Sequence, residues 1–156
     1  MTEPMNNDND TNTNTNPKNV YIKHNVPLHE YKMHKYVYDL HIVNIPEIIN
    51  YDMEKKILTM HKINNMNVSD MYGEKSSDVD ELVFDEIRTI IKTLFEHNIE
   101  YPDITGYNFI EYDNKMWIID FEHASIIEKN KIGDKFVDKF VDKFISGLNK
   151  WNPRFK

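Results

Sequence analysis

The sequence contains no cysteine and no long apolar run, and each absence excludes a class of protein. Without cysteine, the 156-residue chain has neither a disulfide framework nor a thiolate metal site. No apolar segment reaches the roughly 20 residues that a membrane-spanning helix needs. The N-terminus also lacks the basic start and apolar stretch of a secretory signal. We therefore expect an intracellular, cytoplasmic protein without a membrane partner.

An excess of positive charge is lacking as well. The formal net charge of -7 argues against a nucleic-acid partner, because phosphate binding depends on clustered Lys and Arg. The one lysine-rich stretch, "KNKIGDKFVDKFVDKF", interleaves its lysines with aspartates and indicates a solvated helix face. The hydrophobic content of 40% is that of an ordinary globular domain.

The first boundary along the chain is compositional. Residues 1–18 are rich in Asn, Thr and Asp and contain almost nothing apolar. Such a segment cannot bury enough surface to offset the entropy that is lost on ordering. The sequence therefore predicts a disordered tail over residues 1–18 and one folded domain over residues 19–156.

Hydrophobic spacing predicts the elements of the first half of this domain. The stretch "NVYIKHNV" alternates as a short strand with Lys23 at its end, and Pro27 suits the first turn of a helix that runs to about residue 41. Two apolar runs, "IVNIPEIINYD" and "KKILTMHKI", indicate two strands with a turn between them. Pro46 makes the first of these an edge or short strand. The polar stretch "NNMNVSDMYGEKSSD" that follows is predicted to be a connector.

A long amphipathic helix begins the second half. Ser77 and Asp80 fit a capping box, and an apolar stripe predicts a helix over residues 78–97. The stripe consists of Val83, Ile87, Ile90, Ile91, Leu94 and Phe95. After a loop, "NFIEY", "DNK" and "MWIID" predict strand, turn and strand. A final amphipathic helix is predicted over about residues 134–148, with Asp134 as its cap.

Three polar residues occupy fixed positions around the predicted loop and hairpin. Asp103 precedes Asn108 by five positions in "YPDITGYN", and Asp120 follows the second strand in "IIDFEHA". Carboxylate and amide oxygens are hard ligands of the kind that Mg²⁺ prefers. A single Asp or Asn in a turn is common, because these side chains bond their own backbone. The functional interpretation therefore depends on the three residues together.

The order of the elements and these two motifs resemble the protein-kinase family. The Asp-to-Asn offset is that of the kinase catalytic loop H-R-D-L-x-x-x-N, and "DFE" stands where kinases carry D-F-G. The resemblance covers about residues 19–125. It implies an α+β, truncated protein-kinase-like fold, with a reduced N-lobe sheet and one helix above a short, mainly helical C-lobe. The compact, Asn-rich form is similar to kinase-like proteins of large DNA viruses, which would place the protein in a host cell.

The resemblance also implies a role for each residue of the motifs. Asp103 would be the catalytic residue that orients or deprotonates the acceptor hydroxyl, while Asn108 and Asp120 would bind Mg²⁺. Lys23 would contact the phosphates of ATP and pair with Glu30 on the first helix. ATP and Mg²⁺ are the implied cofactors, and a protein is an implied substrate or partner. Glu122, in place of the usual glycine, would add a second carboxylate near the metal.

Several departures from the kinase pattern oppose this assignment. No G-x-G-x-x-G stretch precedes Lys23, and no A-P-E element follows the second motif. Tyr101 and Pro102 replace the His and Arg of the catalytic loop. Thr105 and Gly106 occupy the positions after Asp103 where kinases of this type usually carry a lysine. The platform that docks a peptide substrate is expected to be missing.

Three hypotheses stay open on these residues. The first is an atypical, serine/threonine-type kinase that uses Mg-ATP to phosphorylate an unidentified protein or small-molecule hydroxyl. The second is a catalytically inactive pseudokinase or decoy that acts as a protein-interaction module. The third is an unrelated α+β interaction domain, in which Asp103, Asn108 and Asp120 would not converge.

A zinc site in "HEYKMH" is excluded, because His29 and His34 are five positions apart and would lie on different faces of a helix.

Overall fold

The computed structural model of the protein describes residues 19–128 except residue 74. These residues form seven β-strands, three α-helices and two 3-10 turns, at Ser76–Asp78 and Gly106–Asn108. In chain order the strands and α-helices are β1 Val20–Lys23, α1 Leu28–Leu40, β2 Ile48–Asp52, β3 Ile57–His61, α2 Val68–Tyr72, α3 Glu81–Glu96, β4 Ile99–Glu100, β5 Phe109–Tyr112, β6 Lys115–Ile118 and β7 Ser125–Ile126. The predicted tail and the predicted helix over residues 134–148 lie outside the described residues.

Three antiparallel strands form what we call the upper sheet, in the order β1-β3-β2. The predicted strand ending at Lys23 and the two predicted strands after α1 are confirmed. Strand β2 follows Pro46 and lies at an edge of the sheet, as predicted. The sheet has a small buried cluster of its own, which consists of Val26, Leu58 and Met60.

Helix α1 joins the upper sheet to the rest of the molecule. It begins directly after Pro27 and ends before His41, which adopts the left-handed conformation with φ 53°. The predicted helix is therefore confirmed. Its buried residues are Glu30, Met33, His34 and Val37. Met33 and Val37 belong to the large core below the sheet, so the packing of α1 is set mainly by that core.

Residues 66–128 form what we call the lower region, in which α3 is the longest element. All six residues of the predicted apolar stripe are buried in α3, which confirms the helix. The predicted capping box is wrong, because Ser77 lies in the preceding 3-10 turn and the helix begins at Glu81. Its cap is Asp80, whose Oδ1 accepts a hydrogen bond of 2.9 Å from the Leu82 N–H.

The connector after β3 contains helix α2, which the sequence did not predict. Asn67 caps this helix, because its Oδ1 accepts a 2.8 Å hydrogen bond from the Asp70 N–H. The helix has five residues, too few for a 3.6-residue period to show in the apolar pattern. It packs on the 3-10 turn that contains Asn108, and Ser69 of α2 lies against Gly106 of that turn.

Strands β5 and β6 form the predicted hairpin. Its turn consists of Asp113 and Asn114, whose φ angles of 53° and 55° are those of a type I′ turn. Such a turn matches the right-handed twist of two short strands. Because residues 109, 116 and 118 are buried in the core, the hairpin holds Asn108 before its first strand and Asp120 after its second.

Candidate active site

Lys23 lies at the centre of an ion-pair cluster between the upper sheet and the hairpin. Its Nζ is 2.6 Å from Glu30 Oε1 and 3.1 Å from Asp120 Oδ2. The Glu30 side chain is 3% exposed, whereas those of Lys23 and Asp120 are 25% and 31% exposed. Strand β1, helix α1 and the segment after β6 each contribute one of these residues. The cluster therefore connects three separate elements.

The cluster carries more negative than positive charge. Burial alone would lower the pKa of Lys23, but the hydrogen bond to Glu30 and the charge of Asp120 outweigh it, so the pKa is raised. Burial raises the pKa of Glu30, Lys23 opposes the increase, and the charges of Asp120 and Glu122 add to it. Three carboxylates around one ammonium group thus favour a further cation at this place.

Asp103 and Asn108 form a second polar pair, in the loop before the hairpin. Asn108 Nδ2 donates to the main-chain oxygen of Asp103 at 2.9 Å and to its carboxylate Oδ2 at 3.1 Å. The 3-10 turn Gly106–Asn108 closes the loop and brings the two side chains together. Because Nδ2 makes both bonds, Oδ1 is the atom of Asn108 that would bind a cation.

The main chain of Ile119 ties the second pair to Asp120. The Ile119 N–H donates to the Asn108 carbonyl at 3.0 Å, and the Tyr101 hydroxyl donates to the Ile119 carbonyl at 2.7 Å. Burial raises the pKa of Asp103, the hydrogen bond from Asn108 opposes this, and the charge of Asp120 raises it further. Asp103 therefore lies within electrostatic reach of the Lys23 cluster.

Asp120 has an uncommon backbone conformation. Its φ is 65°, in the left-handed region that non-glycine residues rarely adopt and that Asp and Asn tolerate best. Its Oδ1 accepts a hydrogen bond of 3.3 Å from the Glu122 N–H. Such conformations concentrate at functional sites, where the surrounding structure holds them in place.

The donor atoms around Asp120 suit a divalent cation. One carboxylate oxygen from each of Glu30, Asp120 and Glu122 lies within 4.8 Å of the others. All three are hard oxygen donors of the type that Mg²⁺ takes in phosphate-binding sites. The Glu30 side chain is buried, whereas those of Asp120 and Glu122 are more exposed, so Asp120 and Glu122 are the carboxylates of this group that would face a cation. The residues present fit the cofactor that the sequence implied.

A cavity of about 300 Å³ lies beside the cluster, between the upper sheet and the hairpin. Lys23, Glu30 and Asp120 line it. Its apolar walls include Tyr21, Met60, Ile63, Ile110 and Ile119. This combination of apolar walls and a few charged groups is typical of small-molecule sites. Asp103 and Asn108 are not part of the cavity lining and are tied to its edge through Ile119.

Two histidines hold α1 in place. His29 Nε2 donates to the Ala124 carbonyl at 2.7 Å, and His34 Nε2 donates to the Pro46 carbonyl at 2.7 Å. The His34 ring also meets the edge of Phe121 at 5.6 Å between centroids. The segment after Asp120 is thus fastened to the helix that carries Glu30.

The structure brings the five sequence-predicted site residues into one cluster of three and one pair, which Ile119 connects, rather than to separate surfaces. Lys23 pairs with Glu30 as the resemblance implied, and Asp120 joins them. The direct contact between Lys23 and Asp120 was not predicted, nor were the apolar walls of the cavity. Those walls consist of residues whose alternating pattern indicates only strands and core. The catalytic and ligand roles of the five residues stay predictions.

Comparison with known proteins agrees with this geometry. The fold and the arrangement of the site define a protein-kinase-like protein. The family model RIO1, described as the RIO domain, matches residues 3–146. The chain therefore belongs to the RIO domain family, whose members generally bind ATP with Mg²⁺. No curated protein matches the chain.

Among solved structures, the protein is similar to the kinase PK-1 of Cydia pomonella granulovirus. The TM-score is 0.53 and the sequence identity 15%. The match covers 69% of this chain and 43% of that kinase, so this chain spans less than half the length of the viral protein. At this identity the likeness supports the fold alone.

No helix among residues 19–128 is long and apolar enough to cross a membrane.

Proposed function

We propose that this protein is a kinase-type phosphotransferase that binds Mg-ATP and phosphorylates a hydroxyl of an unidentified protein or small molecule. The observation that carries the proposal is the contact of Lys23 with both Glu30 and Asp120 in the lining of a cavity that also has apolar walls. An ammonium group fixed between two carboxylates beside such a cavity can receive phosphate oxygens. Phosphoryl transfer depends mainly on this kind of positioning and charge stabilisation.

Each residue of the Lys23 cluster and of the Asp103–Asn108 pair has a distinct task in this proposal. The apolar walls take the nucleotide base, and Lys23 donates to the phosphates while Glu30 keeps its side chain in place. Asp120 and Asn108 would hold Mg²⁺, and Glu122 offers one further carboxylate. When bound, the cation would offset the negative charge that develops on the phosphate oxygens.

Asp103 accepts the proton of the acceptor hydroxyl or orients that hydroxyl for attack. Its carboxylate is held by the amide of Asn108, which leaves one carboxylate oxygen for the acceptor. The raised pKa of Asp103, which results from burial first and then from Asp120, makes it a better proton acceptor than an ordinary aspartate.

A non-catalytic pseudokinase is the second candidate, and one observation favours it. The catalytic loop, residues 101–108, contains neither Lys nor Arg. Lys23 lies outside this loop, so the loop itself offers no cationic side chain that could neutralise the transferred phosphoryl group. A protein of this kind would bind nucleotide, or a partner protein, without turnover.

Binding is tested by thermal unfolding with ATP in the presence and absence of Mg²⁺. At a hundredfold excess over its dissociation constant, Mg-ATP should stabilise the protein by about 2.7 kcal/mol. Asp120→Asn should lose the Mg²⁺-dependent part of this stabilisation. Asp39→Asn is the matched control, because Asp39 also pairs with a lysine, Lys35 at 2.7 Å, but on the exposed side of α1.

The binding proposal is rejected if the wild-type protein is not stabilised, or if Asp120→Asn responds to Mg²⁺ as the wild type does.

Catalysis is tested with ATP labelled in the γ-phosphate, with basic and acidic proteins and small hydroxyl compounds as acceptors. Transfer of label establishes the phosphotransferase. Binding without transfer to any acceptor, or to the protein itself, favours the pseudokinase.

A further inference from the structure

The cavity beside Lys23 has a buried end, which lies against α1 and the start of β2. His34 is four positions after Glu30, so the two side chains leave the same face of α1 one turn apart. Both line the cavity, together with Pro46 and Met60. His34, Pro46 and Met60 are all buried, and we call the part of the cavity that they line the His34 subsite.

One ring nitrogen of His34 is occupied by the protein itself. Its Nε2 lies 2.7 Å from the Pro46 carbonyl oxygen, which can only accept, so Nε2 carries a hydrogen. Burial lowers the pKa of His34, the bond to Pro46 opposes this, and the charge of Lys23 lowers the pKa further. The ring is therefore neutral at neutral pH, and its other nitrogen, Nδ1, is a hydrogen-bond acceptor.

This acceptor has no partner within the protein. Among residues 19–128 except residue 74, no group donates a hydrogen bond to Nδ1, although the His34 residue is only 2% exposed. Buried polar groups of folded proteins are nearly always hydrogen-bonded, so a buried acceptor without a partner needs an explanation. Because His34 lines a cavity, a molecule bound there can supply the missing donor.

The surroundings of His34 indicate which kind of molecule this is. Pro46 and Met60 provide apolar walls. The carboxylate of Glu30 opposes the entry of an anion, and the ammonium group of Lys23 opposes that of a cation. Lys23 is also engaged by two carboxylates, so it is already bonded. The remaining class is a neutral, largely apolar molecule that carries a hydrogen-bond donor.

We propose that the His34 subsite binds a neutral aromatic molecule of the phenol or aryl amine class, whose O–H or N–H group donates to His34 Nδ1. The ring of the ligand would lie against Pro46 and Met60. No phosphate and no metal ion take part, so the inference goes beyond the proposed function and does not depend on it.

The first test compares phenol with toluene, in which a methyl group replaces the hydroxyl on the same ring. Affinities of the full-length protein for both are measured by NMR titration. We expect phenol to bind about tenfold more tightly than toluene, which is the usual contribution of one hydrogen bond. Equal affinities for the two compounds, or no binding of either, would overturn the inference.

His34→Leu and His29→Leu form a matched pair of variants. His29 is also on α1 and its Nε2 donates to a carbonyl, that of Ala124 at 2.7 Å, but it does not line the cavity. His34→Leu should lose the preference for phenol and keep the affinity for toluene, whereas His29→Leu should keep the preference. If His34→Leu still prefers phenol, or if both variants lose the preference equally, the inference is wrong.

Nitrogen NMR of the histidine rings provides a direct readout and identifies His34 by the signals that vanish in a variant. His34→Met serves where the leucine variant does not fold, because methionine fills irregular gaps. The free wild type should carry the His34 hydrogen on Nε2. Phenol should shift the Nδ1 resonance towards that of a hydrogen-bonded nitrogen, and toluene should not. A hydrogen on Nδ1 in the free protein, or an Nδ1 resonance that phenol leaves unchanged, would contradict the proposal.

Discussion

The upper sheet and the lower region hold their site residues by different means. The sheet's own buried cluster contains only the side chains of Val26, Leu58 and Met60 among the described residues. The large core cluster contains twenty buried residues, nearly all of them in the lower region and α1. Asp103, Asn108 and Asp120 are therefore fixed by a large apolar core and by main-chain hydrogen bonds. Lys23, from the sheet, is fixed by one ion-pair cluster.

This difference indicates where each kind of substitution should act. In the lower region, a polar substitution should change the chemistry with little change in stability, because the core maintains the loop. In the upper sheet, the same kind of substitution should change stability, because the ion pair is part of the attachment between the sheet and α1.

The largest effect is expected for Asp103→Asn. If the protein is a phosphotransferase, the rate of transfer should fall by about 10²–10⁴-fold, because the general base is removed. The affinity for Mg-ATP and the midpoint of thermal unfolding should stay close to those of the wild type. Single-turnover labelling and calorimetry measure the two quantities. A variant that transfers phosphate at the wild-type rate would remove Asp103 from the mechanism.

Lys23→Met should destabilise the protein by about 3 kcal/mol at neutral pH, since it leaves the buried Glu30 carboxylate without its partner. Lys35→Met, which breaks the exposed Lys35–Asp39 pair, is the control and should cost much less, because an exposed ion pair contributes little to stability. Urea unfolding measures both, and equal losses would contradict the difference between the two regions.

The loss in Lys23→Met should depend on pH in a defined direction. Without Lys23, burial and the neighbouring carboxylates raise the pKa of Glu30 still further above its ordinary value of 4.5. The folded variant then binds a proton more tightly than the unfolded chain. Its stability should therefore fall as the pH rises from below 4.5 through that raised pKa, and the deficit relative to the wild type should be smallest in acid.

Gly106→Ala should destabilise the lower region by about 2 kcal/mol, because an added Cβ would lie 2.4 Å from Ser69 Oγ and 3.1 Å from Ser69 N. The double variant Gly106→Ala/Ser69→Ala removes the closest of these atoms and should recover part of the loss. Chemical denaturation of the two single variants and the double variant checks this. Additive losses in the double variant would show that the contact between α2 and the loop over residues 101–108 is not the cause.

The smallest effect concerns the pH profile of phosphate transfer. In the proposed mechanism Asp103 would act as a base only when it is deprotonated, and its pKa is raised above the ordinary 3.8 by burial and by Asp120. The rate should therefore fall with decreasing pH around a midpoint above 3.8. Asp120→Asn removes the neighbouring charge and should lower that midpoint in its residual activity, which a measured profile of kcat/KM would show.

The sequence predicted the elements with strong local signals. The α3 stripe has a clear 3.6-residue period, and the hairpin combines two apolar strands with a turn of Asp and Asn. Both were predicted because short-range spacing determines them. Helix α2 was missed, since five residues show no period. The cap of α3 was misassigned because Ser77 and Asp80 are both acceptable cap residues, and only tertiary packing decides between them.

The site was predicted only in part, because its contacts join residues that are far apart in the sequence. The pairing of Lys23 with Glu30 was predicted only from the resemblance to kinases. The two residues are seven positions apart, and a turn and the start of α1 lie between them, so the spacing alone does not determine a contact. The contact of Lys23 with Asp120 spans 97 positions and depends on how the sheet lies over the hairpin. The hydrogen bond of the Tyr101 hydroxyl could not be predicted either. Its acceptor is a main-chain carbonyl, which every residue has, so the sequence does not indicate the partner.

The left-handed backbone at Asp120 limits which amino acids the position accepts. Glycine, asparagine and aspartate occupy this conformation at low cost, and of these three only aspartate is an anion. A related chain with asparagine here would keep the same turn and lose one negative charge, whereas alanine would add backbone strain to the missing carboxylate. The residue at this position therefore distinguishes family members that could bind a cation here from those that keep only the backbone turn.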